Sequence, residues 1–324
     1  GTAWGKWHFS YLAGIALCML AAQKPRGGVM EERWGYACMV LPTYFAGFLL
    51  IPALSAPIAC ILAFWVLVVL KVGVCMSVCL HRYASHQAFK CGPCTAFFIH
   101  YVGCLANQGG ALWWASNHRC HHKFCDVDRR TNEDPNHGDP HSPILDGPVN
   151  AFAFFGGPTH AALKEEFCPR HCDGLAYRLL DTFAAVPTCL EMYLFHAVFG
   201  AQGLWVCCMG NWFSQAVTLW FNVLNHMPDT PHAEQMAAGA VCKASDGTNY
   251  DVYPNTFFRL LNQMQFVAGM CGEDSHEHHH THGGLAWRPG VDIPYWLFVR
   301  PLQALGLIWN VETKGRSNAF FSQQ

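Results

Sequence analysis

Three separated groups of histidine constrain this chain more than any other feature. The stretch Trp113-Trp114-Ala115-Ser116-Asn117-His118-Arg119-Cys120-His121-His122 carries three imidazoles at i, i+3 and i+4, which share one face if the segment is helical. His81 and His86 lie in His-Arg-Tyr-Ala-Ser-His, and His276, His279 and His280 repeat the i, i+3, i+4 pattern. Histidine is a mediocre helix former and its neutral ring must be satisfied when buried, so an ordinary soluble chain has no reason to collect it three times. A fold that serves these groups has to bring three distant segments together.

The segments between them are apolar. Residues 37–54 form the first run long enough to cross a hydrocarbon core of ~30 Å. Ser55 and Pro57 break it, and Pro57 allows a new helix from Ile58 that stays apolar to Leu80 except at Lys71. A charge at the hydrocarbon centre is costly whereas an interfacial lysine snorkels, so Lys71 is expected at the membrane surface. His81 then stands about 15 Å further along a helix that protrudes from the membrane. Residues 95–112 contain His100, Asn107, Gln108, Gly109 and Gly110 and read as a lateral helix under a cap. The polar stretch from Lys123 to about Arg178 reads as loop and short helix at the membrane surface. Two further spans, 180–199 and 203–225, are joined by a minimal turn at Gly200-Ala201-Gln202-Gly203, and the second ends in Asn222-Val223-Leu224-Asn225-His226. Residues 9–22 are apolar but too short to span and lack a basic flank, so they read as an interfacial or packed helix. The chain starts at Gly1 without an initiator Met, as a fragment or a processed chain would.

Composition and charge place these runs. With 52% hydrophobic and only 13% charged residues in 324, the chain has a membrane composition, and a net charge of −2 leaves no electrostatic footprint for nucleic acid. Of the 20 Lys and Arg, four precede the first span, nine lie between residues 82 and 178, six lie from 243 onward, and neither tight turn holds any. Two membrane hairpins with every histidine group on the positive, cytosolic side satisfy that distribution. The expected fold is an all-α membrane protein of one domain, residues 1–324. Four transmembrane helices (37–54, 56–80, 180–199 and 203–225) form two hairpins, and a cytosolic helical cap from 81–178 and 227–324 holds the metal site.

The 17 cysteines are scattered through apolar stretches and read mostly as small buried hydrophobes in a reducing compartment. Cys91-Gly92-Pro93-Cys94 spells a redox dithiol, but that chemistry depends on a strand-to-helix setting. The sequence here shows a histidine cluster before it, an apolar stretch after it and no βαβ pattern.

Many neutral imidazoles and few carboxylates point to iron, zinc, copper or nickel rather than calcium or magnesium. Eight histidines in the three groups are too many for one ion, so a dinuclear site fits better. A redox metal pair at the mouth of a membrane bundle suits oxygen activation against an inert, lipid-borne carbon. No activated Ser or Cys nucleophile and no Gly-rich nucleotide loop is evident, so reducing power arrives from outside.

His81-Arg-Tyr-Ala-Ser-His86, His118-Arg-Cys-His-His122 and His276-Glu-His-His-His280 resemble the three histidine boxes of membrane-bound fatty acyl desaturases, in the group that includes stearoyl-CoA desaturase. The resemblance runs from about Pro57 to Val311 and includes Asp-Pro-His-Ser-Pro at 139–143 and Leu305-Gly-Leu-Ile-Trp309. It implies two iron ions held by His81, His86, His118, His121, His122, His276, His279 and His280, with His226 added from the fourth span and Asn222 bridged to the metal through water. It further implies oxygen-dependent, delta-9-like desaturation of a long saturated acyl chain. The expected electron donor is cytochrome b5 or ferredoxin, and no haem-binding His-Pro-Gly-Gly is present to supply a fused donor. The expected location is a multi-pass position in the endoplasmic reticulum, with a plastid or a bacterial inner membrane as alternatives.

This chain departs from the family pattern in places. Glu273-Asp274 replaces Glu-Gly, His278 and His282 are extra, and the stretch 126–139 is longer than usual. Ser116-Asn117 stands where animal acyl-CoA enzymes carry Arg-Asp, which leaves an acyl lipid open beside acyl-CoA. A membrane di-iron hydroxylase of acyl chains, alkanes or carotenoids is the rival enzyme reading. A metal transporter or sensor is the rival of another class, although Lys71 and Glu191 are almost the only charges in the spans.

The remaining residues have simpler readings. Trp113 and Trp114 are expected to anchor a helix at the interface, and His100, His160, His171 and His196 to be structural or surface histidines. Gly73, Ser77 and His81 follow at i, i+4 and i+8. The two small residues either form part of a substrate tunnel or let another helix approach closely.

Overall fold

The computed structural model describes residues 57–124, 163–225, 265–273, 279, 282–288 and 290–314. Almost all regular structure among them is helical, and the only sheet pairs two strands of two residues each.

Helix α1 (Ile58–Leu70) begins after Pro57, whose missing N–H would have had no intrahelical partner there. It runs on into α2 (Lys71–Ser85), which is wound as a π-helix. Together they give 28 continuous residues, long and apolar enough to cross a membrane. Strand β1 (Lys90–Cys91) follows, then α3 (Pro93–Cys104), with Pro93 at the first helical position where its fixed φ is preorganised. Two left-handed residues, Asn107 and Gly109, turn the chain into α4 (Ala111–Phe124), so the second histidine group lies on a helix. After two short 3₁₀ turns come α5 (Leu175–Thr182) and α6 (Ala185–Asn225), then α7 (Gln265–Met270), α8 (Tyr295–Val299), α9 (Arg300–Ala304) and β2 (Ile308–Trp309).

Within α6, Gly200 adopts φ 65° and ψ −151°, a conformation that favours glycine, and the helix breaks there. Contacts with α1 and α2 give the direction of each half. Glu191 meets Lys71, while Phe195 and Trp205, on either side of the break, pack with Phe64 around Cys60, Leu67 and Val206. Beyond them an ideal Cβ on Gly210 would lie 2.8 Å from Leu67, and Val217 packs with Val72 and Cys75. The first half therefore runs antiparallel to α1 and α2, and the second returns parallel to them. Val186–Gln215 is the second stretch of sufficient length and apolarity to cross a membrane. The predicted span 37–54 lies outside the described residues.

Lys71 is buried and paired rather than snorkelling. Its side chain is 1% exposed, and its ammonium donates to Glu191 Oε2 at 2.7 Å and to the Leu105 carbonyl at 2.7 Å. An opposite charge and a free carbonyl offset the cost of burying the ammonium, so it has no need to reach an interface. Lys71 thus ties α2 to α6 and to the end of α3.

The last segment folds back over the first. Tyr295, Val299 and Ile308 pack with Val78, Cys79, Ala96 and Ile99, and β2 pairs antiparallel with β1 through Lys90↔Trp309 and Cys91↔Ile308. This places the C-terminal segment against α2 and α3, beside the first histidine group.

Candidate metal centre

His81 and His86 are five residues apart, a spacing that an α-helix at about 100° per residue would set about 140° apart. The π-winding of α2 removes that difference, because each N–H reaches back five residues. His86 N–H donates to the His81 carbonyl at 3.2 Å, and Ser85 Oγ donates to the Leu80 carbonyl at 2.9 Å. The two imidazoles consequently stand on one face with ring centroids 5.0 Å apart. On α4 the ordinary i, i+4 spacing does the same for His118 and His122, whose Nε2 atoms are 3.0 Å apart. His279 comes from the segment after α7.

Five imidazoles, those of His81, His86, His118, His122 and His279, present donor atoms all within 4.8 Å of one another. The Nε2 to Nε2 separations are 2.8 Å for His81 with His279, 2.8 Å for His122 with His279 and 3.1 Å for His86 with His118. A neutral ring carries one N–H and one lone pair, so hydrogen bonds alone cannot satisfy five converging nitrogens symmetrically. With metal–imidazole bonds of ~2.1 Å, two ligands at right angles on one ion would be about 3.0 Å apart. The observed spacings therefore fit a metal-binding donor set. His86 suits this use: burial, with His81, Arg288 and Arg119 nearby, holds it well below the ordinary histidine value and keeps it neutral.

His121 is buried on the same helix, but its donor lies outside this group of five. His276, His280 and His226 lie outside the described residues. Asn222 is on the helical backbone of α6 close to its end.

The face behind the imidazoles is polar and buried. His81 Nδ1 lies 3.2 Å from Glu273 Oε2, while Ser77 Oγ donates to Glu273 Oε1. A carboxylate on Nδ1 fixes the tautomer, so that Nε2 presents its lone pair to the cluster. Burial pushes Glu273 upward, but His81, Arg288 and Arg82 outweigh it and hold the carboxyl well below its usual range. Arg82, fully buried, braces the segment that carries the third group. Its guanidinium donates to the Cys271 carbonyl at 2.7 Å, the Ala286 carbonyl at 2.8 Å and Asp292 Oδ2 at 2.7 Å. Asp292 also accepts from the backbone N–H groups of Arg288 and Tyr295. Glu273, Arg82 and Asp292 were absent from the sequence-derived site. The signal for two of them was adjacency, since Arg82 follows His81 and Glu273 stands three residues before His276.

Other placements differ from expectation. Trp114 packs onto the histidines: its ring stacks on His118 at 4.7 Å and its indole N–H donates to Gln108 Oε1 at 3.0 Å. Trp113 folds over Gly109, and its backbone N–H donates to Asp181 Oδ1 at 3.0 Å. The space beside Gly73 is filled, since an ideal Cβ there would lie 2.6 Å from Pro294 Cγ and 3.0 Å from Cys271 Sγ. With Ser77 engaged by Glu273, the close-approach reading of these two residues is favoured over the tunnel. His100 and His171 flank Tyr83 as structural histidines, His100 buried and His171 within 3.1 Å of the Tyr83 carbonyl. Cys91 and Cys94 do occupy a strand-to-helix junction.

No protein-family model matches the chain. It is 28% identical over 261 residues to the probable chloroplastic lipid desaturase ADS3.2 of Arabidopsis thaliana, covering 77% of this chain and 63% of that protein. It is 27% identical over 272 residues to the icosanoyl-CoA 5-desaturase of Limnanthes douglasii, covering 77% and 65%. The sn-1 stearoyl-lipid 9-desaturase of Anabaena variabilis is 26% identical over 245 residues, covering 74% and 79%. The matches to the two plant proteins thus span somewhat under two thirds of their length. These relatives are named as desaturases, which are oxidoreductases, and each match covers about three quarters of a chain whose histidines converge as a metal site would require. Over about three quarters of its length the chain is similar to fatty acid desaturases.

Proposed function

We propose that the protein desaturates a long-chain fatty acyl substrate with oxygen, at a histidine-held di-iron centre. The observation that carries this reading is the convergence of His81, His86, His118, His122 and His279 at the end of a helix long enough to cross a membrane. Bound iron would supply the oxidising power for removing hydrogen from two adjacent carbons. The chain's own residues do the rest. Glu273 holds the His81 tautomer, Arg82 sets the third histidine segment against the first, and Trp114 shields one face of His118 from water.

His121, His276, His280 and His226 complete the proposed ligand set, with Asn222 reaching the metal through water. The direction of α6 supports His226 and Asn222, because from Val217 onward it runs the way α2 runs toward His81. Four spans in two hairpins under a cytosolic cap remain the proposed architecture. Lys71 and Glu191 pair with each other, which favours an enzyme over a transporter whose charges would line a pathway. Relatives named for acyl-CoA and for acyl-lipid substrates, and for positions 5 and 9, make carrier and position quantities to measure; a delta-9-like acyl lipid reaction with cytochrome b5 or ferredoxin as donor is the starting proposal. The membrane of the endoplasmic reticulum or of a plastid is the proposed location.

Expression in a desaturase-deficient host, with lipid analysis, tests the reaction. A new alkene at one position supports it, and a hydroxylated product without an alkene rejects it in favour of a hydroxylase. In the purified protein two irons per chain are expected, and His226→Ala should lower that number while the chain remains inserted.

A further inference from the structure

Away from the histidines, the turn between β1 and α3 holds a second pair of chemically competent groups. Cys91 ends the strand, Gly92 is the N-cap with extended backbone, Pro93 opens the helix and Cys94 is its second residue. Both sulfurs are free thiols, Cys94 exposed and Cys91 half-buried. Three residues along a continuous strand would separate two Cα atoms by roughly 10 Å. The chain leaves the strand at Gly92 and enters the helix at Pro93, so the pair is not held at full strand extension, and a disulfide between them requires Cα atoms within ~4.4–6.8 Å. The frame is anchored on both sides. Cys91 is registered opposite Ile308 in the sheet, and the first helical hydrogen bond, Ala96 N–H to the Gly92 carbonyl at 2.9 Å, fixes the start of α3.

We propose that Cys91 and Cys94 form a redox-active dithiol that exchanges with disulfides, a site separate from the metal centre and independent of the desaturase reading. Exposure makes Cys94 the attacking group. Its thiolate attacks one sulfur of a substrate disulfide R–S–S–R, forming a Cys94–S–S–R mixed disulfide and expelling the first thiolate. Cys91 then loses its proton and attacks the Cys94 sulfur, closing the internal disulfide and expelling the second thiolate. The two cysteines are oxidised by two electrons, the substrate is reduced to two thiols, and the cysteine protons end on the departing sulfurs. In the reduced form Cys91 Sγ donates to the Tyr83 hydroxyl at 3.2 Å, so that hydroxyl competes with Cys94 for the resolving sulfur. Tyr83 stands between His81 and His86 on α2, which makes it the contact between the dithiol and the metal centre.

The test uses the full chain in detergent, equilibrated with glutathione buffers of rising oxidised-to-reduced ratio, acid-quenched, alkylated and mapped by mass spectrometry. In the wild type, Cys91 and Cys94 should lose alkylation together as one internal disulfide appears. Cys91→Ser should accumulate one glutathione on Cys94, and Cys94→Ser should leave Cys91 alkylatable throughout, with the iron content of both variants equal to wild type. Full alkylation of both thiols in the wild type at every ratio would overturn the proposal. So would glutathione retained on wild-type Cys94 as in Cys91→Ser, because Cys91 would then not be a resolving group.

Discussion

Nδ1 of His81 and Oε2 of Glu273 lie 3.2 Å apart, both buried, at the back of the imidazole cluster. The contact joins the first histidine group to the segment that leads into the third. Glu273→Gln keeps the shape but removes the charge, and its amide can turn N–H toward Nδ1, which no longer defines the tautomer. Iron affinity should fall roughly 10–100-fold, measured as the rate of iron loss to a chelator. Unchanged retention in a folded variant would show that Glu273 does not position His81.

The Lys71 and Glu191 pair predicts a non-additive cycle. Lys71→Met leaves Glu191 as a buried lone charge and should cost about 3–5 kcal/mol, whereas Lys71→Met with Glu191→Leu should recover most of that loss. Thermal unfolding in detergent measures these two variants and Glu191→Leu alone. Losses that simply add would mean that the two groups do not depend on each other.

At Gly73 the filled space decides the outcome of enlargement. Gly73→Phe should destabilise the protein and lower its iron content, because the ring must displace Pro294 and Cys271 beside the third histidine segment. A metal-loaded, active variant with products shifted toward shorter chains would restore the tunnel reading.

His100 gives a pH dependence. Burial first, with His171 second, lowers its pKa to about 3, and its Nε2 has no hydrogen-bond partner among the described residues. Its folded pKa lies below the unfolded value of ~6.5, so the unfolded chain binds a proton first and this histidine costs stability as pH falls below that value. His100→Phe, set among Tyr83 and Tyr177, should raise the unfolding temperature at pH 5 relative to wild type by more than it does at pH 8. An equal difference at both pH values would assign the effect to packing alone.

What was legible in the sequence was what one helix decides by itself. The i, i+3, i+4 histidines of α4 declare a shared face, and Gly200 declares a turn. The His81 and His86 pair was visible as a group but its shared face was not, because a five-residue spacing closes on one face in a π-helix, and no local pattern announces that winding. Lys71 was misread because its partner is 120 positions away, and hydropathy along one segment carries no information about a counter-charge on another. For Gly73 the sequence left tunnel and close approach open for the same reason: what fills the space beside it, Cys271 and Pro294, arrives from far along the chain. The setting of Cys91 depended on a two-residue strand, too short to leave a periodic signal.

The winding of α2 also bears on how this protein can change over generations. Its 15 residues sit between a membrane-crossing segment and the first imidazole pair, and they answer two demands that respond differently to the same lesion. Deleting one residue would leave a helix still long and greasy enough to insert, and it would relax toward ordinary α geometry. Where the deletion falls before His81, the retained five-residue spacing, now in α geometry, would set His86 about 140° from His81, more than a third of a revolution, since each α-helical residue contributes about 100°. Such a chain would reach its membrane and survive there without holding metal. Along this stretch, therefore, a gap between related sequences is a sharper sign of lost chemistry than a substitution at any single apolar position.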